Sequence, residues 1–156
     1  MRTLILYATK HGAAREIAES ISEQIGDVVL HDLKQGSIPV LDGFDCVIIG
    51  SSLYAGSIRK EAKVFLAQHA AQLQGKKLGL FLSGMAQSDE KKYFADNFPA
   101  DILQKATAVS FLGGIFDPQK ANAMERLIMK AVTKKSGYVR AIDDEKVKQF
   151  AALMCS

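Results

Sequence analysis

The sequence has no tryptophan, only two cysteines and three prolines, and no long hydrophobic run. Cys46 and Cys155 form neither a C-x-x-C motif nor a metal-ligand pattern. Such sparse use of cysteine is typical of a reducing cytoplasm, where we expect this chain. No stretch approaches the roughly 20 apolar residues that a membrane-spanning helix requires. The first residues have the pattern of a strand, which differs from that of a signal peptide.

Charge is also not concentrated in one part of the chain. The net charge is +3 at pH 7, and the lysines and arginines are spread along the sequence. Nucleic-acid binders more often carry a basic stripe interleaved with aromatic residues, so we do not expect a nucleic-acid partner. With 156 residues, 48% of them hydrophobic, the chain can bury a core of ordinary size, and we expect one domain over residues 1–156.

Five short apolar runs alternate with segments of helical periodicity. The runs are continuous and rich in branched residues, as parallel strands are when helices cover both faces of the sheet. Their strict alternation with helices predicts a three-layer α/β fold with a doubly wound parallel sheet. The runs are Thr3 to Ala8, Val28 to Leu33, Asp45 to Ser52, Lys77 to Gly84 and Thr107 to Gly114.

Helical periodicity fills the intervals between these runs. Ile17, Ile21 and Ile25 recur at every fourth position, which predicts an amphipathic helix after the first strand. A weaker helical pattern covers residues 87–98. The other predicted helices and their expected buried residues are 60–73 with Ala62, Phe65, Leu66 and Leu73; 121–135 with Met124, Leu127, Ile128, Ala131 and Val132; and a last helix beginning at Asp143 or Asp144 with Val147, Phe150 and Leu153.

Three loops follow predicted strands at the edge of the sheet where open α/β folds bind ligands. They read "ATKHGAA" after the first strand, "GSSLYAGS" after the third and "SGMAQS" after the fourth. Their small and hydroxyl residues allow a flat ligand and its phosphate to approach the backbone. Turn geometry alone also accounts for glycine and serine in such loops, but three of them at one edge favour a shared site.

The sequence lacks the motifs of four common classes of protein that bind or transfer phosphate groups. A Walker loop and a dinucleotide fingerprint are excluded because no G-x-x-x-x-G-K-S/T run exists and the first turn has no G-x-G-x-x-G. A phosphorelay receiver requires an acidic pair after the first strand and an aspartate ending the third, where "ATKHG" and "GSS" stand. A C-x5-R phosphatase is excluded because Ser52 occupies the position of the arginine after Cys46.

The segments "LILYATKHGAAREIAESI", "DCVIIGSSLYAGSIRKEAKVFL" and "FLGGIFDPQKANAMERLIMKAV" resemble the flavodoxin family over essentially the whole chain. The last segment resembles the branch of short flavodoxin-domain proteins that includes the quinone-dependent protoporphyrinogen oxidases. The resemblance implies a sheet with strand order 2-1-3-4-5 and FMN bound noncovalently at the carboxyl ends of the strands.

The flavodoxin phosphate loop reads S/T-x-T-G-x-T. Thr9 and Gly12 match this pattern, whereas His11 and Ala14 occupy the other two hydroxyl positions. Backbone N–H groups of the helix N-terminus still offer an anion site, to which Lys10, His11 or Arg15 can add positive charge. The resemblance implies that Tyr54 stacks on the flavin. The positions that it assigns to FMN are Thr9, Lys10, His11, Gly12, Ala13, Ala14, Ser51, Ser52, Leu53, Tyr54, Ala55, Gly56, Ser83, Gly84 and Met85.

Three function classes remain open on the sequence. The first is a flavodoxin-type electron carrier; such carriers are typically acidic, whereas this chain has a pI of about 8.8. The second is an oxidase that passes electrons from protoporphyrinogen to a membrane quinone such as menaquinone, although the interval between the fourth and fifth strands is shorter than the basic insertion of those enzymes. The third is a flavin-free module of the same fold. We expect no catalytic side chain and no metal site.

A set of basic residues in the helix predicted at 121–135 suggests a partner surface. Arg126, Lys130 and Lys134 recur at every fourth position, and Lys135 adjoins them. Such a stripe can contact anionic lipid at the membrane surface, or can be an ordinary solvated face. The partners that we expect are therefore a redox protein or a quinone, with peripheral membrane contact through this stripe.

Overall fold

The computed structural model of the protein describes residues 1–85, 88–133 and 137–156 and contains one principal parallel sheet. Its strands are β1 (Thr3–Ala8), β2 (Val28–Asp32), β3 (Cys46–Tyr54), β5 (Lys77–Ser83) and β6 (Ala108–Phe111), in the order β2-β1-β3-β5-β6. The two-residue β4 (Ser57–Ile58) pairs antiparallel with the end of β3. The predicted order 2-1-3-4-5 is confirmed, because β5 and β6 are the fourth and fifth strands of the parallel sheet. Their numbers are higher by one only because the short β4 is also numbered. A second, two-stranded sheet joins β7 (Ile115–Phe116) to β8 (Val139–Arg140).

The register of the parallel strands brings the three predicted loops to one edge of the sheet. Ala8 at the end of β1 lies opposite Ser51 of β3, and Ser52 lies opposite Ser83 at the end of β5. The loops after β1 and β5 therefore begin beside β3, which continues to Tyr54 and turns back into β4, so most of the loop predicted after the third strand is strand. The common edge is the one that the rule for open α/β sheets predicts.

Six α-helices occur among the described residues: α1 (Ala13–Ile25), α2 (Lys60–His69), α3 (Glu90–Asn97), α4 (Ala100–Lys105), α5 (Ala123–Thr133) and α6 (Asp144–Cys155). Because side chains alternate across a strand, Ile5 packs with α1 and α6 on one face of the sheet. Leu4 and Leu6 pack with α2, α3 and α4 on the other face. The result is the predicted three-layer arrangement. None of the helices in these residues is long and apolar enough to cross a bilayer.

The helix α6 begins as predicted, but its buried residues differ in part from the expected set, since Ala151 and Met154 are also buried. The Asp143 side chain accepts a hydrogen bond from the backbone N–H of Lys146 at 3.1 Å, as an N-cap does. Val147 and Phe150 are buried as expected, whereas the expectation for Leu153 is wrong because its side chain is 51% exposed. Met154 takes the buried position instead, since it lies seven residues after Val147 and so returns to the same side of the helix.

The helix α5 shows the largest departure from the sequence prediction. Met124, Leu127 and Ile128 were expected in the core, but they are 63%, 69% and 50% exposed, and Ala131 is also exposed. Among residues 123–131 of α5, Glu125 and Met129 are buried. The prediction fails because α5 does not lie on the principal sheet. Its buried Met129 packs instead against Phe116 and Ala121, in a small separate cluster. The side chain of Val132 lies outside the described set.

Candidate functional site

The loop between β1 and α1 has the conformation of an anion-binding turn. Gly12 precedes the helix with a φ of +92°, in the left-handed region that favours glycine. Its backbone N–H donates to the Thr9 hydroxyl at 3.0 Å, so Thr9 fixes the shape of the loop. No side chain caps the N-terminus of α1 among the residues described. The first backbone N–H groups of α1 are therefore the donors that this loop offers to an anion.

Two side chains of this loop are bound by a carboxylate from α5. Glu125, only 9% exposed, forms an ion pair with the Lys10 ammonium and accepts a hydrogen bond from His11 Nε2 at 2.8 Å. The backbone of Asp117 holds the other ring nitrogen of His11, with its N–H 3.0 Å and its carbonyl oxygen 3.2 Å from Nδ1. Burial alone raises the pKa of Glu125, but the hydrogen bonds from Lys10 and His11 outweigh it and hold the pKa below its ordinary value.

Sequence reasoning did not predict Glu125 as a site residue, although a local signal for it exists. The Asn122 side chain accepts from the backbone N–H of Glu125 at 2.8 Å, and the backbone N–H of Asn122 lies 3.5 Å from Glu125 Oε1. This reciprocal arrangement is the capping box that an N-x-x-E pattern indicates. The pattern predicts the start of α5 but not the contact with the loop after β1.

The three loops surround a cavity of about 370 Å³. It lies at the carboxyl edge of the sheet, beneath the start of α5. Most of the predicted site residues line it, namely Lys10, His11, Ala13, Ser52, Leu53, Tyr54, Ala55, Gly56, Ser83, Gly84 and Met85. The lining residues that were not predicted come from other elements: Arg59, Tyr93, Ile115, Phe116, Met124, Glu125, Ile128 and Met129.

Four predicted site residues shape the loops without lining the cavity: Thr9, Gly12, Ala14 and Ser51. Ala14 is fully buried in the core with α6. The Ser51 hydroxyl is also buried; it accepts from the backbone N–H of Arg59 at 3.0 Å and donates to the carbonyl of Ser52. The hydrogen bonds of Thr9 and Ser51 fix the backbone around the cavity.

Two buried hydroxyls at the cavity are without a partner. Neither Ser52 Oγ nor Ser83 Oγ has a hydrogen-bond partner within the described part of the chain, and both residues line the cavity. Leaving a buried hydroxyl unpaired costs about 1–3 kcal/mol, so such groups are usually satisfied by protein, water or ligand. The two hydroxyls belong to residues paired across β3 and β5. Both oxygens are covered in this structure, and a rotation about χ1 would turn either hydroxyl toward the polar edge of a ligand in the cavity.

The rest of the cavity is suited to a flat ring. Tyr54 is partly exposed at its rim, and the Lys10 ammonium lies 5.2 Å from the centroid of the Tyr54 ring. On the other side Met85 packs against the cluster of Phe116 and Met129. An aromatic and apolar lining with few polar groups is typical of sites for flat cofactors. Within the described ranges, no group of histidine, cysteine and acidic residues is placed to hold a metal ion.

Comparison with known proteins agrees with this architecture. A family model described as a flavodoxin domain matches residues 4–142. The chain is 22% identical over 147 residues to protoporphyrinogen IX dehydrogenase [quinone] from Escherichia coli (strain K12), covering 88% of this chain and 81% of that protein.

Two solved structures illustrate the likeness of fold. The flavodoxin of Streptococcus pneumonia TIGR4 has a TM-score of 0.61 and 16% identity, covering 99% of this chain and 97% of that one. The Fusobacterium nucleatum flavodoxin bound to flavin mononucleotide has a TM-score of 0.53 and 21% identity, covering 70% of this chain and 69% of that one. These comparisons confirm the predicted flavodoxin-like α/β fold.

Proposed function

The chain belongs to the flavodoxin-domain family, and on this premise we propose that it is a redox protein that binds FMN noncovalently in the cavity. The observation that carries the proposal is the pair of unpaired buried hydroxyls, Ser52 Oγ and Ser83 Oγ, beside a mainly apolar cavity at the strand ends. The structure of the Fusobacterium nucleatum flavodoxin with flavin mononucleotide supports the choice of ligand.

Each part of the site has a role in this proposal. The backbone N–H groups of α1 hold the phosphate, Tyr54 packs on the ring, and Ser52 and Ser83 bond to its polar edge. The apolar side chains from β7 and α5 exclude water from the ring. A bound flavin supplies the redox chemistry, which no side chain of this cavity needs to provide.

Titration of the purified protein with FMN tests this proposal. We expect saturable binding, seen as quenched flavin fluorescence and perturbed absorption bands near ~370 and ~450 nm. Tyr54→Ala should weaken FMN binding by about three- to tenfold, which corresponds to the ~0.5–1.5 kcal/mol of an aromatic pair. Tyr138→Ala is the matched control, because Tyr138 is exposed and does not line the cavity. Absence of FMN binding to the unaltered protein would refute the proposal.

A second candidate function is oxidation of protoporphyrinogen with a quinone as acceptor. It is favoured by the relative from Escherichia coli, whose name states that reaction, and by the basic pI, which is unusual for an electron carrier. Anaerobic incubation of the FMN-loaded protein with protoporphyrinogen, with and without a menaquinone analogue, tests it. Porphyrin formation that depends on the quinone indicates an oxidase, whereas reduction only by a protein donor indicates a carrier.

Peripheral membrane contact forms the last part of the proposal. One face of α5, defined here as Met124, Leu127 and Ile128, is apolar and exposed. The exposed Arg126 and Lys130 belong to the same helix. Apolar and basic residues together on one helix are typical of helices that lie at an anionic lipid surface. Met124 and Ile128 also line the cavity, so this face is continuous with the site. Lys134 and Lys135, included in the predicted stripe, lie outside the described residues.

Sedimentation with vesicles that contain an anionic lipid tests this contact. Leu127→Glu should reduce the bound fraction several-fold, because it places a carboxylate in the apolar face. FMN binding should not change, since Leu127 does not line the cavity. Leu153→Glu is the control, because Leu153 is an exposed leucine on α6, away from this face. Equal binding of the two variants would exclude α5 as the contact.

A further inference from the structure

We infer that Glu125 sets the specificity of the flavin site by neutralising the phosphate loop, so that the site distinguishes FMN only weakly from riboflavin. This inference rests on the proposed flavin site. It concerns one residue that the flavodoxin phosphate-loop pattern does not include.

The Glu125 carboxylate offsets the lysine charge of the phosphate loop. Lys10 carries +1, and Glu125 carries −1. His11 Nε2 is hydrogen-bonded to the same carboxylate at 2.8 Å. A phosphate dianion that reaches this loop therefore finds a lysine and a histidine whose hydrogen bonds already go to a carboxylate. Charge-assisted hydrogen bonds of this kind are the strongest that the loop could have offered the phosphate.

Two other cations near the loop, Arg15 and Lys120, do not compensate, and Arg59, which also lines the cavity, belongs to the N-terminus of α2. Arg15, in the first turn of α1, donates from Nε to Glu19 at 2.9 Å, and its side chain is 64% exposed. Lys120 approaches Gly12, with its ammonium 3.8 Å from where a Cβ on Gly12 would lie, but Lys120 is exposed. Water and salt screen exposed charges of this kind. The loop is left with backbone N–H groups as its main donors.

Glu125 is also fixed in position by the helix to which it belongs. Its backbone N–H donates to the Asn122 side chain at 2.8 Å, and its carboxylate faces the backbone N–H of Asn122. The carboxylate is thus part of the N-terminal cap of α5 and does not need to move for Lys10 to reach it. A phosphate must either bind beside this carboxylate or displace it from two hydrogen bonds, and both alternatives weaken the binding of FMN relative to riboflavin.

Substitution of Glu125 by glutamine tests the inference, with FMN and riboflavin as the two probes. Glu125→Gln keeps the size of the side chain and removes its charge, which frees Lys10 for the phosphate. We expect the unaltered protein to bind the two flavins within about threefold of each other, and Glu125→Gln to bind FMN about tenfold more tightly, with riboflavin unchanged. Flavin fluorescence quenching at low ionic strength measures both dissociation constants. Glu61→Gln on α2, away from the cavity, is the control for loss of one negative charge.

Lys10→Met provides a second variant with the opposite expected result. It leaves the Glu125 charge uncompensated beside the phosphate, so FMN should bind more weakly. The ratio of the two dissociation constants should therefore shift in favour of riboflavin. A preference for FMN of about 100-fold in the unaltered protein, or an unchanged ratio in Glu125→Gln, would overturn the inference and leave the proposed function standing. If Glu125→Gln weakens both flavins equally, Glu125 only holds α5 in place. If neither flavin binds the unaltered protein, the proposed function and this inference both fail.

Discussion

Gly50→Ala is expected to lower the free energy of unfolding by about 3 kcal/mol or more, because it overfills the core at the centre of the sheet. Gly50 on β3 lies opposite Phe81 on β5, and the Phe81 ring covers it. A Cβ at position 50 would lie 1.9 Å from Phe81 Cζ. The ring cannot move aside easily, since it is fully buried and packs edge-on against Phe150 of α6, with the two ring centroids 6.0 Å apart.

Urea denaturation of four proteins measures this effect and its cause. The proteins are the unaltered chain, Gly50→Ala, Phe81→Leu and the double variant. If the steric conflict is with the ring, the double variant should be more stable than the sum of the two single changes predicts, by at least ~1 kcal/mol. Strict additivity of the two changes would show that Gly50 is required for another reason, such as backbone conformation.

The parallel sheet could be predicted from the sequence because its signal is local. Runs such as Thr3 to Ala8 are apolar without interruption, which only strands buried on both faces require, and β1 has those bounds in the structure. The convergence of the loops after β1, β3 and β5 follows from the parallel order of the strands. For this reason most of the predicted site residues line one cavity.

The features contributed by α5 could not be predicted in the same way. Periodicity correctly indicated a helix, but it reports only which side of a helix is apolar and not what covers that side. Leu127 and Ile128 are apolar and exposed, whereas the charged Glu125 is buried. The partners of Glu125 are Lys10 and His11, 115 and 114 positions earlier in the chain. No local pattern reports a contact over such a separation, so the electrostatics of the site required the structure.

Gly114→Ala is the second substitution with a large expected effect, and it alters the candidate site itself. Gly84, in the loop after β5 that lines the cavity, donates its backbone N–H to the carbonyl of Gly113 at 2.9 Å. A Cβ on Gly114 would lie 2.6 Å from the carbonyl oxygen of Gly84. This oxygen belongs to the backbone, so no change of rotamer relieves the contact. Gly114→Ala must therefore displace the Gly84 loop or the segment after β6.

We expect Gly114→Ala to lower the free energy of unfolding by about 2 kcal/mol and to weaken FMN binding about tenfold or more. The two effects share one cause, because the displaced loop carries Met85 and follows directly on Ser83, and both residues line the cavity. Gly137→Ala is the matched control, since a Cβ at Gly137 would meet no atom within 4 Å. Thermal unfolding and FMN titration of both variants separate the outcomes. A Gly114→Ala protein that is less stable but binds FMN normally would show that the Gly84 loop does not contact the flavin, whereas loss of both would place this loop in the FMN site.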